Sequence, residues 1–152
     1  MTIQVLAVGK LGKGYLREGV ADYSERIRRH CKFEIIEVGE SKSHNPREKE
    51  GQMLLEKLGK TERAYCIALH PAASRCGSEE LARHLETLQT QGVSRFVFMV
   101  GGSEGLSAAV LQRADMRLSF SALTFPHQLF RLLLCEQIYR CLKMNGGQTY
   151  HK

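Results

Sequence analysis

Two turn segments, one histidine and a charged tail are where this chain has chemistry to offer. Gly101-Gly102-Ser103-Glu104-Gly105 follows an apolar run and precedes a helical pattern, so backbone amides there can approach a ligand closely. It is not a phosphate loop. No Gly-Lys-Ser/Thr follows, and the dinucleotide pattern Gly-x-Gly-x-x-Gly, with a ribose-binding acid about 20 residues on, is missing. His127, one residue after Pro126 at the opening of the last helix, is rigidly placed and could act as a base. Arg131 stands one turn beyond it on the same face, where it could hold a phosphate or a carboxylate. The chain ends Tyr150-His151-Lys152: an aromatic ring, a base and a cation that could stack on and hydrogen-bond a splayed nucleotide. Taken singly, each feature has a bland reading as well, as a tight turn, a structural histidine or a fraying end.

The elements that must position these groups follow from the hydrophobic pattern. Apolar runs at 3–8, 33–38, 64–69 and 96–100, with an alternating run at 116–120, predict five strands. Between them, Leu16, Val20, Tyr23, Ile27 and Cys31 recur at helical spacing. Asn45-Pro46-Arg47-Glu48 offers an N-cap, a first-turn proline and a capping-box glutamate, with Gly59 as the stop. Leu81, Leu85 and Leu88 share the face of a third helix, and Ser107 can cap a short fourth. Strands alternating with helices predict an α/β domain: a mostly parallel sheet of five to six strands, helices on both faces, one domain over 1–152. Ligands of such sheets bind beyond the carboxyl ends of the strands, where Gly101 and the loop 121–125 both fall. The last helix, from Pro126 to about Met144, is apolar around most of its circumference. This implies a second buried face, either at a homodimer interface or in the centre of the core.

Composition narrows the partners. The five cysteines are odd in number and lack Cys-x-x-Cys spacing, against both a disulfide framework and a zinc cluster, and no ligand set for another metal is evident. No signal-like N-terminus or membrane-length apolar run is present, so a soluble cytoplasmic protein is expected. A net charge of +6 makes nucleic acid a plausible partner. Beyond Gly105, Arg113, Arg117, Arg131, Arg140, Lys143 and Lys152 face only Asp115 and Glu136, which points to an RNA-facing surface in the C-terminal third.

With these residues in view, the chain resembles a known family. Val-Gly-Gly-Ser-Glu-Gly-Leu, Leu-Ser-Phe-Ser-Ala-Leu-Thr-Phe-Pro-His-Gln, Arg-Leu-Leu-Leu-Cys-Glu-Gln-Ile-Tyr-Arg and the terminal Tyr-His-Lys, in that order, are similar to the RlmH family. These are bacterial SPOUT-class methyltransferases that use S-adenosylmethionine to methylate N3 of a pseudouridine in helix 69 of 23S ribosomal RNA. The resemblance implies a C-terminal trefoil knot, which departs from the rule that chains do not thread. It also implies a homodimer acting on 23S rRNA within the ribosome. Carried over by motif, the cofactor site would be Leu69, Gly101, Gly102 and the run Phe120, Ser121, Ala122, Leu123, Thr124 and Phe125, with Leu69, Leu123 and Phe125 as apolar walls. Tyr150, His151 and Lys152 would reach the partner subunit's substrate. The chain departs from the pattern at His70, where relatives commonly have aspartate, and at Pro71-Ala72-Ala73-Ser74-Arg75, where they have a Gly-Lys pair.

The implied reaction is an in-line methyl transfer to an imide nitrogen whose proton must be removed, so His127 and His151 are the two candidate bases. Arg131 or Lys152 could balance charge on the uracil oxygens. Two other classes fit more loosely: a non-catalytic ribosome- or RNA-binding factor, and a flavodoxin-like nucleotide-binding oxidoreductase.

Overall fold

In the computed structural model, which describes residues 1–59 and 63–148, the strands are β1 (Thr2–Val8), β2 (Lys32–Val38), β3 (Tyr65–Leu69), β4 (Arg95–Val100) and β5 (Met116–Leu118). The helices are α1 (Gly14–Arg28), α2 (Pro46–Leu58), α3 (Ser78–Thr90), α4 (Ala108–Arg113) and α5 (His127–Asn145). Every strand pairing is parallel, and the strand order is β2-β1-β4-β3-β5. Parallel strands need crossover connections, and four of the helices supply them.

Strand residues alternate between two apolar layers, as the period-two pleat requires. Ile3, Val5, Ala7, Ile67, Phe96 and Phe98 face α1, α3 and α5, while Leu6, Val8, Cys66, Ala68, Val97 and Met99 face α2 and α4. The central strands carry almost no polar side chain because both faces are covered. Each fully buried large side chain there contributes roughly 1.5–3 kcal/mol.

Local signals acted unevenly. Ser107 caps α4 as expected, its Oγ accepting from the Val110 amide at 3.3 Å. Asn45 makes no such bond, and Glu48 turns to Arg47 instead of closing a capping box. Pro46 alone begins α2. β5 stops at Leu118, two residues short of the alternating pattern; Ser119 keeps only an isolated parallel bridge to Arg75 in the loop beyond β3.

The last helix occupies the groove between α1 and α3. Its Asn145 side chain donates to the Ala82 carbonyl at 2.9 Å, Ser78 Oγ donates to Gln137, and Gly19 of α1 lies against Leu132. Leu134, Cys135, Ile138 and Cys141 are buried beneath it. Central packing therefore accounts for much of its apolar excess. Leu129 and Leu133 belong to neither core cluster.

Candidate functional site

The glycine loop after β4 is a tight turn whose shape tolerates no side chain at its crossing. The Gly105 amide donates to the Gly102 carbonyl at 3.1 Å, and Gly105 has φ +78°. A β-carbon on Gly101 would stand 2.5 Å from the Gly105 carbonyl carbon, so the two backbone strands of the turn approach as closely as glycine permits. The loop is held from below by α2. Gly51 packs against Ser107, and a β-carbon there would lie 2.1 Å from its Oγ. Glu50 is buried, with Oε1 accepting from the Ser41 amide at 3.0 Å and Oε2 without a hydrogen-bond partner among the described residues.

The two loops beyond β3 and β5 are joined to each other. The His70 amide donates to the Leu118 carbonyl and the Ser119 amide to the Ser74 carbonyl, each at 3.0 Å, so parallel pairing continues past both strand ends. Ser119 is buried and its Oγ donates to the Ser121 carbonyl, while Ser121 Oγ accepts from the Leu123 amide at 2.9 Å. Within the loop that departs from the family pattern, His70 Nδ1 accepts from the Ala72 amide at 3.2 Å. The imidazole thus organises its own turn. Phe120 packs on Phe130 of α5 with ring centroids 4.8 Å apart.

These loops and the start of α5 enclose a cavity of about 480 Å³ beyond the carboxyl ends of β4, β3 and β5. Leu69, Gly101, Gly102, Phe120, Ser121, Leu123, Thr124, Phe125 and His127 all line it, whereas Ala122 does not. Leu123 is 72% and Phe125 38% exposed, so this wall presents apolar surface that a ligand could cover. A smaller cavity of about 250 Å³ adjoins through Phe120, Ser121 and Phe125.

His127 Nε2 is buried without a hydrogen bond among the described residues and lies 3.5 Å from Glu40 Oε1. This nitrogen faces a carboxylate at ion-pair distance. Arg131 corrects the expectation from its helical position. Its side chain is buried, donating to the Val8 and Gly9 carbonyls at 3.0 and 2.9 Å, with Nη1 3.2 Å from Glu37 Oε1. It fastens α5 to the ends of β1 and β2 and does not line the cavity. Burial pulls its pKa below the usual guanidinium value, against the pull of Glu37.

The basic excess of the C-terminal third is likewise engaged in the fold. Arg113 pairs with Asp115, Arg117 donates to the Leu111 carbonyl, Arg140 pairs with Glu136, and the Lys143 ammonium lies 6.0 Å from the centre of the Tyr139 ring. Tyr150, His151 and Lys152 lie outside the described residues. Sequence reasoning missed Glu50, Arg47 and Phe130. Phe130, three residues after His127 on one helix face, was accessible in principle; Glu50 looks like any charged residue of a solvated helix.

The family described as "Predicted SPOUT methyltransferase" matches residues 1–151. The chain belongs to the SPOUT methyltransferase family. Two full-length relatives called "Ribosomal RNA large subunit methyltransferase H" come from Ligilactobacillus salivarius, 42% identical over 161 residues, and Clostridioides difficile, 43% identical over 159. Each alignment covers 100% of both chains. The fold is also that of a probable methyltransferase from Bordetella pertussis, with TM-score 0.58, 13% identity, and 92% of this chain and 93% of that one covered. A probable methylase family protein from Haemophilus influenzae matches with TM-score 0.56, 10% identity, and 99% and 70% covered. The SPOUT assignment rests on the whole chain, including the loop from His70 to Gly77 that departs from the expected motif.

Proposed function

We propose that this protein methylates N3 of a pseudouridine in helix 69 of 23S ribosomal RNA, using S-adenosylmethionine, on the assembled ribosome. The observation that carries the reading is the convergence of three strand-end loops and His127 on one cavity, in a chain matched end to end by rRNA methyltransferases. The cavity suits the cofactor. Its volume lies in the small-molecule range of roughly 300–1,000 Å³, its walls include exposed leucine and phenylalanine, and the glycine turn forms one side of it.

When bound, S-adenosylmethionine supplies an electrophilic methyl group on a sulfonium. Leu69, Leu123 and Phe125 would enclose its apolar parts, and backbone groups at Gly101, Gly102 and 120–125 would bind the adenine and ribose. His127 is the base on this reading, taking the N3 proton at Nε2, with His151 the alternative. Tyr150 and Lys152 would contact the target nucleotide from the partner subunit. A homodimer would cover Leu129 and Leu133, which neither core cluster uses, together with exposed Leu123 and Phe125 nearby. The knot belongs to the same reading: beyond edge strand β5 the chain crosses to the end of β1, where Arg131 fastens it.

Mass spectrometry of helix 69 from cells lacking the gene tests the assignment. The methyl mark should vanish and return with the wild-type gene; its persistence in the deletion strain rejects the reading. Calorimetry with S-adenosylmethionine separates an enzyme from a non-catalytic RNA-binding factor, which would give no binding heat.

A further inference from the structure

The loops that follow β1 and β2 leave the same edge of the sheet as the cavity and carry Lys10, Lys13 and Lys42, and the first turns of α1 and α2 add Arg17 and Arg47; all five are exposed. Both loops are tied to the site. The Gly9 amide donates to the Val38 carbonyl at 2.8 Å, which joins the two loops at their roots. The Gly12 amide donates to Gln128 Oε1 at 2.8 Å, which sets the first loop beside His127, and Arg47 itself lines the cavity.

Opposing charge is scarce. Segment 39–47 contains one carboxylate, Glu40, which faces His127, and residues 9–17 contain none. Glu48 lies 3.3 Å from Arg47, but both side chains are more than half exposed, and such pairs contribute at most about 1 kcal/mol. Arg17 shapes the first loop by donating to the Leu11 and Gly12 carbonyls. Lys10, Lys13 and Lys42 contact no carboxylate among the described residues.

We infer that these two loops are the surface that grips the phosphate backbone of the RNA, on the side of the cavity where His127 stands. The inference rests on the reading of the protein as an rRNA methyltransferase and adds where the substrate lies. Lysines on flexible stems suit phosphates as point charges and carry no base preference, so this surface positions the RNA while the cavity selects the nucleotide. Among the described cations of the C-terminal third, Arg113, Arg117, Arg140 and Lys143 each have a partner within the fold, while Lys10, Lys13 and Lys42 contact no carboxylate.

The test is the triple variant Lys10→Ala, Lys13→Ala, Lys42→Ala beside Arg117→Ala on the edge strand, each first shown to unfold at the wild-type temperature. Binding of a fluorescein-labelled RNA hairpin is measured over a salt series, and methylation on ribosomes from a deletion strain. Each lost phosphate contact should flatten the slope of log affinity against log salt by about 0.7–0.9. The triple variant should therefore flatten it by about 2. Its loss in turnover should fall on KM, rising about tenfold or more, while Arg117→Ala matches wild type. An unchanged slope in the triple variant, or an equal loss in Arg117→Ala, overturns the surface. Failure of the wild type to methylate ribosomes while the salt slopes still differ would overturn the enzymatic reading and leave the surface standing.

Discussion

Glu50 lies directly beneath Gly102: its Oε2 is 3.4 Å from the point where a β-carbon on that glycine would stand. One carboxylate thus supports the turn after β4 while its other oxygen holds the Ser41 amide. Glu50→Ala leaves that amide unsatisfied and should destabilise the protein by about 1–3 kcal/mol. Glu50→Gln retains an acceptor and should recover most of the loss. Urea unfolding of both variants measures this, and equal losses in the two would show that the charge itself is required.

Gly101→Ala forces a β-carbon onto the Gly105 backbone, which cannot rotate away as a side chain could. The turn must open. Overpacking of this kind costs about 1–3 kcal/mol, and the distorted loop should weaken S-adenosylmethionine binding at least tenfold by calorimetry. Wild-type affinity in this variant would remove the turn from the cofactor site.

His127→Ala should leave cofactor affinity near wild type and lower single-turnover methylation by roughly 10²–10⁴-fold, the usual contribution of a positioned base. If turnover is retained and His151→Ala abolishes it, the proton is taken by the tail.

Arg131→Ala removes both hydrogen bonds to the end of β1 and leaves Glu37 without its partner. Breaking a buried pair costs about 3–5 kcal/mol, and the partial exposure of Glu37 favours the lower end. Arg131→Lys should also be destabilised, because an ammonium cannot span the two carbonyls and Glu37 as the planar guanidinium does. Chemical denaturation of both variants provides the measurement; wild-type stability in Arg131→Ala would contradict the role given to this residue.

Burial pushes the Cys135 and Cys141 thiols up to about 12 from an ordinary 9.0, and Cys31 to about 11. A pKa raised on folding contributes stability that is complete below the unfolded value and lost as pH climbs toward the folded one. Unfolding free energy should therefore fall as pH rises above about 9, the direction these three thiols dictate. At neutral pH, Cys135 and Cys141 should resist alkylation in the native protein and react once it is denatured, as read by peptide mass spectrometry.

The sheet was legible because buried parallel strands are continuous apolar runs, and the cavity because glycine turns and strand ends are visible as text. Arg131 was misread for a physical reason: helical spacing gives the face a residue occupies but not what covers that face. The carbonyls of Val8 and Gly9 that hold it are more than a hundred residues away in sequence. The same blindness hid Glu50 and the ion pair of Arg140 with Glu136, which become evident only when side chains are placed.

The cavity takes its last walls from residues 118–130, beyond an edge strand that joins the sheet after the other four. During synthesis the N-terminal strands emerge first, so a nascent chain already holding β1 to β4 still has no pocket. On the proposed function, competence to modify a ribosome would come only as the protein leaves the one that made it.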